Sequence, residues 1–378
     1  ISLGLVGSEM CIETAVVLPE ALRAIRMLEG ENRWLQKVPY LFITNSGGRH
    51  EGDRAMDLTH DFQTHVSFEQ VMQAHTLMQT LVDKYANEAV LMIGGPDHPP
   101  GAARSVLNRQ VLSCCILTQH GFQHVYTAHD LHAYAPPSFP YGTPDVHQHG
   151  ALSVCIYKLL IQRQDFSKVH FRAIFVFHDS RQWGRDIQYA LDLMRSDDGI
   201  FGTVLTNEEL HKRSPMPIYF SHGDLRRLVC VADSSVGKQL CCSASRPGWL
   251  PYCFGGFIQG AFQRYLLIQH VTNNAPFNAV TFGKPELSTY EYANDLLQRI
   301  LREATNDANV TVAPEDVWMI GDNPASDIEG ANRFGWSSAL VRTGVFRDVE
   351  GAPASRPTFI ADNVEKAITE IMERSWST

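Results

Sequence analysis

Val317-Trp-Met-Ile-Gly-Asp322-Asn-Pro-Ala-Ser-Asp327-Ile-Glu-Gly-Ala-Asn332 is the stretch that decides the fold. Apolar residues run up to Gly321, two carboxylates follow at Asp322 and Asp327, and a helix-like pattern then begins. This reads as a buried strand that delivers an acidic loop to the C-terminal edge of an open α/β sheet, where ligands gather. Two aspartates converging at such an edge suit a hard cation such as Mg²⁺, which takes oxygen ligands and commonly bridges to phosphate. The alternative is a turn whose Asp or Ser caps the following helix.

Working outward, Ile1-Ser-Leu-Gly-Leu-Val-Gly7 reads as a short buried strand, and Pro19 to Leu28 as a helix with Pro19 in its first turn. Val38 to Thr44 is a second strand, ending in the polar turn Asn45-Ser-Gly-Gly48. Strand, helix, strand in this order implies a right-handed parallel unit whose loops open on the same edge as Asp322. Phe68 to Asp83 has a helical pattern, and Glu88 to Gly95 reads as a strand followed by a Gly-Gly-Pro break suited to a domain crossing. Val111 to Leu117 fits strand or helix equally. Four prolines between Tyr134 and Pro144 exclude regular structure there. Ala173 to Asp179 and Ile218 to Asp224 are strands, Arg185 to Met194 is an amphipathic helix, and Cys253 to Ile268 is mainly helical. Ser288 and Glu291 have capping-box spacing and open a helix to about Glu303. Ser338 to Gly344 and Thr358 to Asp362 are strands, and Val364 to Glu373 is the closing helix.

A chain of 378 residues has room for two domains. Its 44% hydrophobic and 19% charged content is that of an ordinary globular protein. A net charge of −9 without any basic tract argues against binding nucleic acid through bulk charge, and leaves only a local patch such as Lys212-Arg213 or Arg226-Arg227. The 16 histidines are scattered, and His147 and His149 fall in a Pro/Gly/Tyr-rich loop that reads as solvated. None of the eight cysteines forms a C-x-x-C pair, and most sit among apolar residues as buried free thiols, which fits a reducing compartment. No run of about 18 apolar residues marks a membrane-crossing helix, so membrane insertion is not expected. The first residue is Ile1 rather than Met, so the natural N-terminus is expected to lie elsewhere, with a presequence either removed or left out of this sequence.

Three polar loops therefore follow apolar strands: Thr44-Asn45, Lys284 and Asp322 with Asp327. A hydroxyl with neighbouring backbone N–H groups can hold phosphate oxygens, an ammonium can neutralise phosphate charge, and two carboxylates can hold Mg²⁺. Singly, each has a plainer role as a turn former, a surface cation or a helix cap.

Phe42-Ile-Thr-Asn-Ser-Gly-Gly48, Gly283-Lys-Pro285 and Ile320-Gly-Asp-Asn-Pro-Ala-Ser-Asp-Ile328 resemble motifs two, three and four of the haloacid dehalogenase superfamily. The wide gap between the second and third is similar to that of members with a type-II α/β cap. Within that group the chain most resembles the cat-eye-syndrome critical region hydrolase-domain family, often mitochondrial, on Gly121 to Leu131, Gly283 to Ala293 and the acidic loop. The resemblance implies a Rossmann-like, doubly wound parallel sheet core of residues 1–88 and 275–378 with an inserted α/β cap of residues 89–274. The cap would select substrates, and His178-Asp179 and Ser221-His-Gly-Asp224 stand at its strand ends.

Active members of the superfamily carry an Asp-x-Asp pair at the end of the first strand, the nucleophile and the general acid/base. Here Gly4 and Val6 occupy those positions, while Gly7 and Pro19 match the family pattern that follows. Gly4 has no nucleophile, Val6 cannot transfer a proton, and Glu9 lies too far along to replace either. The resemblance then implies no catalytic residue, a vestigial phosphate set of Thr44, Asn45 and Lys284, and a weakened Mg²⁺ pair, Asp322 and Asp327. The expected function is that of an inactive structural or binding subunit, or an assembly factor, in a mitochondrial complex, with a ribonucleoprotein among the candidate partners. An active Mg²⁺-dependent phosphatase of small phosphorylated metabolites is the alternative.

Overall fold

The strands that carry two of the polar loops, Thr44-Asn45 and Asp322 with Asp327, belong to one parallel sheet, and the strand before Lys284 belongs to a second. A computed structural model of the chain describes residues 2–5, 17–47, 50–94, 113–140, 164–177, 183–223, 229–232, 239–242 and 278–376. The strands are β1 (Ser2–Leu5), β2 (Tyr40–Ile43), β3 (Val71–Met72), β4 (Ala89–Ile93), β5 (His124–Thr127), β6 (Phe171–Val176), β7 (Pro217–Phe220), β8 (Val229–Ala232), β9 (Gln239–Cys242), β10 (Asn278–Thr281), β11 (Val317–Gly321), β12 (Ser337–Val341) and β13 (Phe359–Ala361). The α-helices are α1 (Pro19–Leu28), α2 (Glu51–Phe62), α3 (Val82–Tyr85), α4 (Ser113–His120), α5 (Ala128–Tyr134), α6 (Trp183–Met194), α7 (Asn207–Lys212), α8 (Leu287–Thr305), α9 (Glu329–Phe334) and α10 (Val364–Trp376).

Six strands in the order β13-β12-β11-β1-β2-β3 form the first sheet, and five in the order β10-β7-β6-β4-β5 form the second. Every pairing in both is parallel. The strands β8 and β9 pair antiparallel by themselves. Parallel sheets are covered on both faces, so their strands are apolar throughout, as β11 is. Its side chains alternate between two cores. Trp318 and Ile320 pack with Ala24, Ile25 and Leu28 of α1 and Ile368 and Ile371 of α10. Val317 and Met319 pack with Tyr290, Ala293 and Leu297 of α8. That second core continues without a break through Tyr85, Phe175, Tyr219 and Phe282, so the two sheets share apolar packing. The Tyr85 and Tyr219 hydroxyls also meet at 3.1 Å inside it.

The structure differs from the sequence reading at several elements. The helix expected over Phe68–Asp83 is a 3₁₀ turn at Phe68–Gln70, then β3, then a 3₁₀ stretch at Thr76–Leu81 leading into α3. Val71 and Met72 pair with Phe42 and Ile43, and this tertiary pairing overrides the local helical period. The Ser288–Glu291 spacing does not cap α8. That helix begins at Leu287 with Glu286 at its N-cap, and Gly283 O anchors the turn by accepting from Glu286 N at 2.9 Å. A real capping box opens α5 at Thr127 and Asp130. The strand-or-helix segment at 111–117 is helical from Ser113. Residues 278–281 pair with β7 in the five-stranded sheet, later in the chain than the expected crossing near 275. The expected helix over Cys253–Ile268, and Val6, Glu9, His147, His149, His178, Asp179, Asp224, Arg226 and Arg227, lie outside the described residues.

Candidate functional site

The site is assembled from the ends of β1, β2 and β11 and from the loop after β10. β11 delivers Asp322 and β2 delivers Thr44, with β1 hydrogen-bonded between them. The register sets Gly4 beside Met319 on one side and Leu41 on the other, three residues short of Asp322 and of Thr44, and Gly4 brings only backbone to β1.

Lys284 enters through a tight junction. Gly283 has φ +78°, and a Cβ there would stand 2.8 Å from Ser221 O, 2.9 Å from His222 Cβ and 3.0 Å from Asn45 Oδ1, so only glycine fits. Asn45 clamps the next residue with both ends of its amide: Oδ1 accepts from Lys284 N at 2.8 Å, and Nδ2 donates to Lys284 O at 2.9 Å. The Lys284 ammonium is buried. It lies 2.7 Å from Asp327 Oδ1 and donates to Ile43 O at 3.2 Å. Thr44 is held by its own backbone, since its N–H donates to Met72 O at 2.9 Å and its hydroxyl accepts from Ser46 N at 3.1 Å.

Asp322 and Asp327 are drawn together by a π-helical turn, Pro324–Ile328, whose N-cap Asn323 accepts from Ala325 N. Asp327 Oδ2 accepts from Asn323 N at 3.0 Å. Tyr290 fixes the turn from α8 by donating to Ser326 O at 2.9 Å and to Asp327 O at 3.1 Å. Asp322 is inaccessible, with Oδ2 accepting from Val345 N at 2.5 Å and Oδ1 buried without a partner. Burial, then the neighbouring Asp327 charge, pushes the Asp322 carboxyl up to about 7. The loops close tightly on both acids. A Cβ on Gly344 would stand 1.9 Å from Asp322 Oδ2, and one on Gly321 would stand 2.3 Å from Asp327 Oδ2.

The structure therefore brings Asn45, Lys284, Asp322 and Asp327 to one edge beside Thr44. It also shows what the sequence reading missed: Tyr290, Val345, Gly321 and Gly344 as the frame of the acidic loop. Tyr290 lies in the stretch after Lys284 that carries the family resemblance, a signal that could have marked it. Val345 and Gly344 had no motif of their own. For a cation, the donor set offers one free carboxylate oxygen, Asp322 Oδ1, because Asp327 Oδ1 is taken by Lys284. Mg²⁺ takes about six oxygens in near-octahedral geometry. Among the described residues no three His, Cys, Asp or Glu side chains converge to hold a metal. The described residues alone do not make a fitted Mg²⁺ site.

Similar proteins are known. Residues 12–106 match the haloacid dehalogenase-like hydrolase model and residues 281–367 a HAD-hydrolase-like model. A mitochondrial hydrolase of Saccharomyces cerevisiae is 30% identical over 356 residues, covering 89% of this chain and 87% of that protein. A cardiolipin synthase (CMP-forming)/mitochondrial hydrolase fusion protein of Schizosaccharomyces pombe is 28% identical, covering 93% of this chain but 49% of the fusion. Among solved structures, a hypothetical protein of Pyrococcus horikoshii superposes with TM-score 0.55 at 14% identity, covering 98% of this chain and 99% of its own. A possible sugar phosphatase of Cytophaga hutchinsonii gives 0.54 at 15% identity, covering 96% and 94%. These structural likenesses carry the fold, and the sequence relatives carry the family: the chain belongs to the haloacid dehalogenase-like hydrolases, with a Rossmann-like core and a cap domain.

Proposed function

We propose that this chain is a mitochondrial member of the family that keeps the fold without turnover and serves as a structural or binding subunit of a larger assembly. The observation that carries the reading is Gly4: the strand between β2 and β11 offers no carboxylate to attack phosphorus or to hold a metal. Covalent catalysis needs an activated nucleophile, and general acid–base help contributes ~10²–10⁴-fold. The closed Lys284–Asp327 pair supports the same reading, since the ammonium that would meet phosphate already has a buried partner. Both curated relatives are named as mitochondrial hydrolases, which supports the mitochondrial setting. Protein partners fit better than nucleic acid: Lys212 ends α7 in an exposed segment, but the adjacent Arg213 is paired with Asp197. Among the described residues no helix is long and apolar enough to cross a membrane.

A phosphatase of small phosphorylated metabolites is the second reading, and one observation favours it. Burial pushes the Asp322 carboxyl up to about 7, the proton affinity of a general base near neutral pH, and turnover would need a motion that opens this carboxyl to water. The assembly role is tested by the native size of the endogenous protein in mitochondrial extract. Elution as a complex well above the 42.4 kDa of one chain is expected. A solely monomeric pool contradicts it.

A further inference from the structure

The buried ionisable side chains that the site does not use gather at a second place, where the two sheets meet. Glu51 is the first residue of α2, His75 precedes the 3₁₀ stretch leading toward β4, and His120 ends α4, which packs beside β5. All three side chains are 5% exposed or less. Glu51 Oε1 accepts from Thr76 Oγ1 at 2.7 Å and lies 3.4 Å from His75 Nε2, while Oε2 lies 3.5 Å from His120 Nε2. The two imidazoles face each other with centroids 6.1 Å apart and planes 20° apart, and His75 packs at 4.3 Å on Phe177, just past β6. Nδ1 of His75 and Nδ1 of His120 are buried without a hydrogen-bond partner, while each Nε2 faces Glu51. A buried polar atom left without a partner is costly, so apolar side chains would hold this junction more simply.

The cluster is wired to the candidate site. Thr76 Oγ1, besides donating to Glu51, accepts from Gln73 N at 2.9 Å, and Ala74 N donates to Ser46 O at 3.3 Å. A Cβ on Gly47 would stand 2.9 Å from His75 Nδ1. The other groups facing the cluster are His50, whose ring is 6.5 Å from His120, and Gln79, whose amide nitrogen is 3.1 Å from His120 Nε2. Tyr292 and, beyond it, Arg299 face it from α8, and Arg54 lies one turn along α2 against Asp57 at 3.9 Å.

We propose that Glu51, His75 and His120 form a proton-operated clasp between the core and the cap, closed while the His75 imidazole is neutral and loosened when acid charges it. The clasp spans elements attached to both sheets and abuts the loop that carries Thr44 and Asn45. Charging His75 places a cation 6.1 Å from the facing His120 ring in a site sealed from water, where its Nδ1 has no partner to receive the added N–H. The direction follows from burial, which outweighs the attraction of the Glu51 carboxylate and leaves His75 below the ordinary imidazole value. A histidine lowered in the folded state contributes stability that is present above its unfolded pKa, about 6.5, and is lost as pH falls below it.

The test uses the wild-type full chain, followed by mass spectrometry of histidine C2-hydrogen exchange and amide exchange from pH 8 to 5.5. The His75 midpoint is expected below about 6.5. Amide protection, corrected for intrinsic rates, is expected to fall about tenfold in segments 44–52 and 113–120 while α10 is unchanged. A His75 midpoint at or above the free value, or a loss of protection spread evenly over the chain, overturns the proposal. In the His75→Gln/His120→Gln double variant the local pH response is expected to vanish, and its persistence overturns the proposal; the wild-type measurement decides alone if that variant does not fold. A stoichiometric transition metal found by elemental analysis of the purified protein, and lost on His120→Gln, also overturns it, because the rings would then serve an ion.

Discussion

Lys284 Nζ stands 2.7 Å from Asp327 Oδ1 with the two side chains 5% and 1% exposed, a closed ion pair inside the edge where the family places its ligands. Removing one partner of a buried pair strands the other charge, at a cost of about 3–5 kcal/mol. Lys284→Ala and Asp327→Asn are each expected to lower the unfolding free energy from denaturant titration by that amount, and the double variant by less than their sum. A loss below about 1 kcal/mol for both single variants would mean that the pair is solvated in solution.

The acidic loop has no spare volume. A Cβ at Gly344 would enter the Asp322 carboxylate, and one at Gly321 the Asp327 carboxylate. Gly344→Ala is therefore expected to cost about 1–3 kcal/mol, as overpacking does, measured as a lower thermal midpoint. Gly351→Ala is the contrast for space alone, since nothing lies within 4 Å of its added Cβ, though φ +95° still strains alanine there.

Asp322 sets a pH dependence of defined sign. Its folded pKa, pushed up to about 7, lies above the ordinary carboxylate value, so the folded state binds more protons than the unfolded state between about pH 4 and 7. Stability from this group therefore rises as pH falls through 7 and levels off near 4. Asp322→Asn is expected to stabilise the chain at pH 8 in EDTA and to do little at pH 5. Equal effects at both pH values would show that Asp322 stays ionised.

An added carboxylate should improve the metal site. Gly4→Asp places one on β1, beside the strand that delivers Asp322. Wild-type protein is expected to gain little thermal stability from millimolar Mg²⁺, and Gly4→Asp to gain more, because a ligand held at 100 times its Kd stabilises by about 2.7 kcal/mol. A large Mg²⁺ shift in the wild type, lost on Asp322→Asn, would mean that the site is intact without the first-strand acid.

Much of this was legible in the sequence because the informative pattern is short-range. Apolar runs ending in Thr44, Lys284 and Asp322 marked three loops; one parallel sheet brings Thr44 and Asp322 to its edge, and Asn45 and Asp327 hold Lys284 there from the second sheet. Local pattern failed where pairing decides. Val71 and Met72 sit in a helical period yet form an edge strand against Phe42 and Ile43, and Ser288 and Glu291 have cap spacing yet lie inside a helix begun by Glu286. Helix α2 went unread because its polar first turn hides Ala55, Leu58 and Phe62. The closure of Lys284 on Asp327 joins residues 43 positions apart, and no spacing rule reports such a distance. The same holds for Glu51, His75 and His120, which single-position reading treats as scattered.

The central claim is that the fold has lost turnover at its first strand. It is tested most directly by assaying the purified wild-type chain with Mg²⁺ against a panel of phosphate esters, beside the Asp322→Asn variant. The account predicts the same background rate for both proteins. Phosphate release by the wild type that Asp322→Asn abolishes would contradict it.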